Sequence, residues 1–314
     1  MNSMKQILTE WRRYINEHSV GPEFYPPQFS AMIAKLKKLA ENNWVFFDTE
    51  TTGLPKKDGT VPDHIQITQL AAISYQPNGL NSIPTPVPDG QFNIKIILGP
   101  ATEAELARQQ AALDAGTYEE IYQDDPDYSI PGLLKMNDYY GGENVPRVDQ
   151  AKGAQMFNEY IAKQKELSPS GKVVFWAHNS PFDAKMTNLF YQRGNTPIPG
   201  IAVMDSIAII DNYLKAVLEY LQKNEEKMND EDRHIIQSIT ATSRKGKPYL
   251  ASKLGLMATA FEIDNTSWHE ATADIGMTME VLYKTIQYLK DPSRGGRFAV
   301  NKLTPKYRYN RKMS

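Results

Sequence analysis

Apolar positions along the chain change period, and the changes mark out the elements. Residues 4 to 18 place Ile7, Leu8, Trp11, Tyr14 and Ile15 at helical spacing, which predicts an amphipathic helix stopped by the proline-containing link from Gly21 to Gln28. Ser30 is the expected cap of a second helix with Met32, Ile33, Leu36 and Leu39 inward and Lys35, Lys37 and Lys38 outward. Trp44 to Phe47 is then wholly apolar, runs into Asp48-Thr49-Glu50 and breaks at Thr51-Thr52-Gly53, the pattern of a buried strand that ends at a site. Further strands are predicted over Ile65–Tyr75, Phe92–Leu98, Val173–Ala177 and Gly200–Asp205, with residues 53–64 and the proline-rich 77–90 as loops. Between and after them, helices are expected from a Thr102/Glu105 capping box to Leu113, from about Asp149 to Glu166, over Ala184–Arg193, Ile207–Tyr220 and Tyr249–Phe261, and finally through Ile275, Met279, Leu282 and Ile286. Residues 123–149, rich in Asp, Pro, Gly and Tyr, read as loop, the charged run 221–234 as a solvated helix end or loop, and Arg244 to Pro248 as a small basic turn.

Strands alternating with helices predict an α/β fold around a mixed five-stranded sheet. Three segments are expected: a helical N-terminal extension over residues 1–43, a main domain over 44–290 and a basic tail over 291–314. The first two helices either pack on the main body or form an arm that docks a replication or repair protein.

Composition narrows the chemistry. With 314 residues, 41% apolar and 23% charged, the chain is that of an ordinary globular protein, and its net charge of −2 does not advertise a polyanion partner. The absence of cysteine removes disulfides, thiolate metal sites and cysteine nucleophiles together. No apolar stretch approaches the ~20 residues that span a bilayer, and the start lacks the apolar core of a signal peptide, so a soluble cytoplasmic protein without membrane contact is expected.

Side chains two apart in a strand point the same way, which puts Asp48 and Glu50 on one face. Carboxylates that close repel each other unless a cation lies between them, so the pair is a candidate Mg²⁺ or Mn²⁺ site. His178-Asn179-Ser180-Pro181-Phe182-Asp183 gathers polar groups and a carboxylate at the exit of another strand, where open α/β sheets place their sites. Asp205 also ends a strand and reads as a helix cap. His269 and Asp274 are five residues apart, about 500° around a helix at 100° per residue, so they meet only if His269 lies on the loop entering the last helix. A loop histidine beside a metal-held carboxylate suits a general base.

In order, FFDTETTGL, AHNSPFD and the H-x-A-x-x-D of HEATAD resemble the three motifs of the DEDDh 3′→5′ exonucleases, which include polymerase proofreading subunits, RNase T and oligoribonuclease. The likeness covers roughly Trp44 to Tyr288. It implies a ribonuclease H-like domain in which Asp48, Glu50, Asp183 and Asp274 hold two divalent cations, Mg²⁺ or Mn²⁺, and His269 deprotonates the attacking water. It also implies that Thr51 contacts the 3′ end of a nucleic acid, that Leu54 wedges against the last bases, and that His178 and Asn179 orient the phosphate or support Asp183. Single-stranded DNA is the expected substrate, RNA-end trimming the alternative, and a non-catalytic nucleic-acid-binding module of the same fold a third reading. The tail holds Arg294, Arg297, Lys302, Lys306, Arg308, Arg311 and Lys312 interleaved with Phe298, Tyr307 and Tyr309; it serves either as a phosphate and base contact or as a solubilising terminus.

Overall fold

A computed structural model describes residues 29–56, 58–118, 144–243, 245–264, 266, 271–291 and the backbone of 310–312. The first expected helix, most of the 123–149 segment, His269 and most of the basic tail lie outside the described residues.

Helix α1 (Ser30–Leu39) leads into β1 (Asn43–Thr51), which pairs antiparallel with β2 (Ile67–Gln76), and β2 with β3 (Thr85–Ile96). After α2 (Pro100–Asp114) come β4 (Arg147–Val148), α3 (Gln150–Leu167), β5 (Val173–Ala177), α4 (Ser180–Arg193) and β6 (Ala202–Asp205). A helical run follows, made of α5 (Ser206–Ile209), a π-helical turn (Ile210–Leu214) and α6 (Lys215–Gln222), and then α7 (Asp230–Ile239). The short strands β7 (Thr240–Thr242) and β8 (Pro248–Leu250) precede α8 (Leu254–Ala260), α9 (Ala271–Lys290) and β9 (Asn310–Lys312).

The main sheet has the order β4-β3-β2-β1-β5-β6-β9. Its five principal strands are the expected ones, in a mixed arrangement: the antiparallel meander β1-β2-β3 joins the parallel strands β5 and β6 through β1. The five-strand expectation missed two short edge additions, β4 and β9, which are two and three residues long and carry almost no period.

Alternation along β1 builds two cores. Trp44 and Phe46 face a layer made of α1, the π turn and α6 to α9; Val45 and Phe47 face α3 and α4. Trp176 stacks on Phe46 with ring centroids 6.0 Å apart on the first face, and Phe175 meets Phe47 edge-on on the second. Phe29, Met32, Ile33 and Leu36 bury α1 in the first core, so this helix packs on the body of the domain.

Several boundaries differ from the sequence reading, each for a local reason. Strand β3 starts at Thr85, before Pro86 and Pro88, because its first half pairs on one side only and an edge tolerates missing N–H donors. Thr102 is not a cap: Gly99 precedes α2, Pro100 takes the first turn, and the buried Thr102 hydroxyl lies 2.9 Å from both the His64 carbonyl and Gln66 Oε1. Ser30 is likewise the first helical residue and not the cap, which is Phe29. The predicted helix over Tyr249–Phe261 begins only at Leu254, since the residues before it pair as β8. The charged run 221–234 is more ordered than expected: Asn229 and Asp232 form a capping box that starts α7, and buried Asp232 accepts from the Tyr288 hydroxyl at 2.6 Å. Among the described residues, no helix is long and apolar enough to cross a membrane.

Candidate active site

The two-residue period of β1 decides where its polar end points. Even positions continue the face of Trp44 and Phe46, so Asp48 and Glu50 emerge toward α9, whose first turn carries Asp274. Ligand oxygens of Asp48, Glu50 and Asp274 lie within 4.8 Å of one another. Odd positions continue the opposite face, so Thr49 emerges toward α4, and its hydroxyl donates to Asp183 Oδ1 at 2.9 Å. Asp183 sits in the first turn of α4, which starts at Ser180, four residues earlier than expected. The register shift between Glu50 and Thr51 ends the strand in a bulge, which turns the chain into the 52–64 loop just past the carboxylates.

The carboxylates of Asp183, Glu50 and Asp274 all act electrostatically on Asp48. Burial pushes Asp48 well above the usual carboxylate range, and Asp183, Glu50 and Asp274 each push it further. Burial also raises Asp183 to about 7, with Asp205 adding to the shift and hydrogen bonds from the Thr49 side chain and from backbone N–H groups opposing it. Such a cluster binds either protons or a cation. Hard oxygen donors from Asp and Glu, with no sulfur or nitrogen among the three clustered residues, fit Mg²⁺ or Mn²⁺.

Thr49 was not singled out from the sequence, although its signal was present as a hydroxyl closing the otherwise apolar series Val45, Phe47. Its role is to fix the orientation of a carboxylate that belongs to another element. Thr49→Val keeps the shape and removes the donor; we expect Mn²⁺ binding to weaken by about 10- to 100-fold, the range for partners that orient ligands. Equal Mn²⁺ affinity of Thr49→Val and the native protein would remove this role.

The strand exits carry the second motif. β5 runs parallel to β1 with Phe46 opposite Trp176, and His178 is the first residue past the end of β5. Its Nε2 donates to the Ser252 carbonyl at 2.8 Å, and its Nδ1 accepts from the Ser206 hydroxyl at 2.9 Å. Burial lowers the imidazole to about 4, so the ring is neutral near pH 7 and both nitrogens are engaged within the protein. Asn179 is exposed and left-handed, with φ 73°, at the turn into α4. Asp205 accepts from the Ile207 N–H at 3.1 Å, as a helix cap should; burial raises its carboxyl above the ordinary value, and the backbone N–H groups of Ser180, Ile207 and Asn179 oppose the rise. Ser206 and Ser252 gave no sequence signal, because their partner is remote in the chain.

The residues after the first motif divide in two. Thr51 is buried and donates to the Gly53 carbonyl at 3.0 Å, whereas Leu54, in the loop that follows, is 66% exposed. A groove of about 430 Å³ runs between α4 and Val61 of the loop, lined by Pro181, Ala184, Lys185, Asn188, Leu189 and Gln192. At 100° per residue these positions center on the side of α4 away from Asp183, so the groove is separate from the carboxylate cluster.

Comparison with known proteins gives likeness at the level of structure. No family model matches the chain. No curated protein matches it significantly. Solved structures similar to it include E. coli exonuclease I in complex with a dT13 oligonucleotide, at 15% identity and a TM-score of 0.44, over 81% of this chain and 43% of that one. Cell-death related nuclease 4 aligns at 11% identity and a TM-score of 0.40, over 78% of this chain and 64% of that one. A 3′-exonuclease with 3′-end specific recognition of the histone mRNA stem-loop aligns at 11% identity and a TM-score of 0.42, over 90% and 72%. The chain spans less than two thirds of the length of the first two.

Proposed function

We propose that this chain is a metal-dependent 3′→5′ exonuclease that releases nucleoside 5′-monophosphates, with single-stranded DNA as its preferred substrate. The observation that carries this reading is the convergence of Asp48, Glu50 and Asp274, joined by Asp183 through Thr49, where β1 ends. A pure nucleic-acid binder gains nothing from an anionic cluster that repels phosphate, so the convergence favors catalysis over the binding-module reading.

Asp48, Glu50, Asp183 and Asp274 would hold two divalent cations. When bound, these supply positive charge to the phosphate and the leaving oxygen and lower the pKa of a water. His269, outside the described residues, matches the third motif and takes the proton from the water oxygen that attacks phosphorus. The bond to the 3′ oxygen of the preceding nucleotide then breaks. Leu54, exposed in the loop after β1, meets the terminal base, and Asn179 meets the phosphate. Thr51 shapes the floor under the 3′ end. His178, with both nitrogens committed, positions the second motif and does not bind phosphate.

The test is a substrate profile with 5′-labelled single- and double-stranded DNA and RNA, with Mg²⁺ and with EDTA. A ladder shortened from the 3′ end, faster on single-stranded DNA and stopped by EDTA, is expected. Faster loss of matched RNA would move the protein to RNA-end trimming, and no degradation with any divalent ion would return it to the binding module.

A further inference from the structure

Strands β7 and β8 form a two-stranded ribbon separate from the main sheet, with Ala241 opposite Tyr249 and Thr242 opposite Pro248. From Thr240 to Phe261 the sequence carries the cations Arg244, Lys245, Lys247 and Lys253 and no carboxylate, in a chain whose acids otherwise outnumber its bases. Lys245, Lys247 and Tyr249 are all exposed. Because side chains alternate, Lys247 and Tyr249 stand on one face while Leu250 turns inward to the core. The residue beside Tyr249 on that face is Ala241, too short to cover the ring, which is 46% exposed.

The turn is closed by its own hydrogen bonds. Ser243 N–H donates to the Lys247 carbonyl at 2.8 Å, Gly246 N–H to the Ser243 carbonyl at 2.9 Å and Lys247 N–H to Ser243 Oγ at 3.0 Å, with Gly246 at φ +72°. At the root, Ala251 N–H donates to the Ile239 carbonyl at 2.8 Å, and the next residue is Ser252, whose carbonyl holds His178. The Ser252 hydroxyl donates to Asp211 in the π-helical turn, and Asp211 pairs with Lys215 at 2.7 Å. The ribbon is therefore fixed to the exit of β5, where the second motif begins. Lys247 lies five residues of extended chain from Ser252, at most about 17 Å.

We propose that this ribbon is an accessory contact for single-stranded nucleic acid, in which Tyr249 stacks on an unpaired base and Lys245 and Lys247 neutralize the phosphates beside it. It rests on the exonuclease reading for the identity of the strand that passes the carboxylates. The chemistry selects the partner: phosphates satisfy the cations, and only an unpaired base offers a face to the uncovered ring. An acidic peptide would use the lysines and leave the tyrosine idle, and a duplex encloses its base faces.

The experiment measures binding of a long single-stranded oligonucleotide and of the matched duplex to the full chain in EDTA across a salt series, and separately hydrolysis of a dinucleotide with Mg²⁺. For Lys245→Gln/Lys247→Gln the slope of log affinity against log salt should fall by about 1.4, two contacts at about 0.7 each. Tyr249→Ala should weaken single-strand binding by roughly tenfold and leave the slope unchanged, as loss of one stacked base requires. Dinucleotide hydrolysis and the thermal midpoint should stay at native values in both variants, and Tyr249→Phe should restore binding. Unchanged oligonucleotide binding, an equal loss on the duplex, or a parallel loss of dinucleotide hydrolysis would each overturn the ribbon's role. If the native protein hydrolyzes nothing while the variants still lose single-strand binding as described, the ribbon contact stands and the exonuclease reading falls.

Discussion

Asp48→Ala is expected to abolish shortening of a 5′-labelled single strand, by at least ~10³-fold, while leaving the protein folded and no less stable in EDTA. The size follows from the chemistry: stabilization of a phosphodiester transition state by a held cation is worth several kcal/mol, and each ~1.4 kcal/mol is a factor of ten in rate. The stability expectation follows from the cluster. Asp48 is half-buried, and Asp183, Glu50 and Asp274 all add to the desolvation that pushes its carboxyl above the usual range, so removing it relieves repulsion. Lost activity with equal or higher thermal stability is the signature of a residue kept for function against its cost to folding. Asp48→Asn, which preserves the volume, should behave alike. A ladder that persists in either variant would sink the metal mechanism, and loss of activity with a collapsed melting transition would make Asp48 structural.

The second large effect is a pH dependence that changes sign with metal. In EDTA, the thermal midpoint should fall as the pH rises from about 6.5, because two carboxyls titrate far above their ordinary value of 3.8: Asp183 at about 7 and Asp48 well above that ordinary value. Between the ordinary and the raised values the folded protein holds protons that the unfolded chain has released, so stability declines with pH through the raised values. His178 works in the opposite direction. Its folded value of about 4 lies below the ordinary 6.5, so between those limits the unfolded chain holds the extra proton and stability rises with pH. Above 6.5 the histidine's opposing slope fades as the unfolded imidazole loses its proton, and the two carboxylates outweigh it. Mg²⁺ or Mn²⁺ competes with the protons for the same oxygens, so added metal should raise the midpoint most at the alkaline end and flatten or invert the decline. A midpoint that climbs with pH in EDTA, or one that ignores metal throughout, would contradict the cluster as a cation site. Asp183→Asn should remove much of the decline, since it replaces one of the titrating groups by a neutral isostere.

Much of this site was written in local pattern. The period of β1 placed Asp48 and Glu50 on one face before any partner was known, and the apolar run before them fixed the strand's burial. Asp205 followed the same logic as a helix cap and is one. What failed locally failed for tertiary reasons. The proline-bearing start of β3 contradicts strand propensity and is tolerated because that part of the strand pairs on one side only. The residues of β8 read as the start of a helix because their alternation spans three positions, too few to set a period.

Sequence alone determined the elements that carry the chemistry, because side-chain direction in a strand or helix is fixed by backbone geometry within a few residues. It determined the motif order and the kinds of donor available, with no thiolate among them. Only the tertiary structure decided which side chains share space. The pleat of β1 sends Asp48 and Glu50 to Asp274 on one layer and Thr49 to Asp183 on the other, so one strand links both helical layers at a single point. The same holds for His178, whose two nitrogens are satisfied by residues 28 and 74 positions away, and for the basic ribbon rooted beside it. Contacts across such separations depend on how layers pack, and packing leaves no period in the chain.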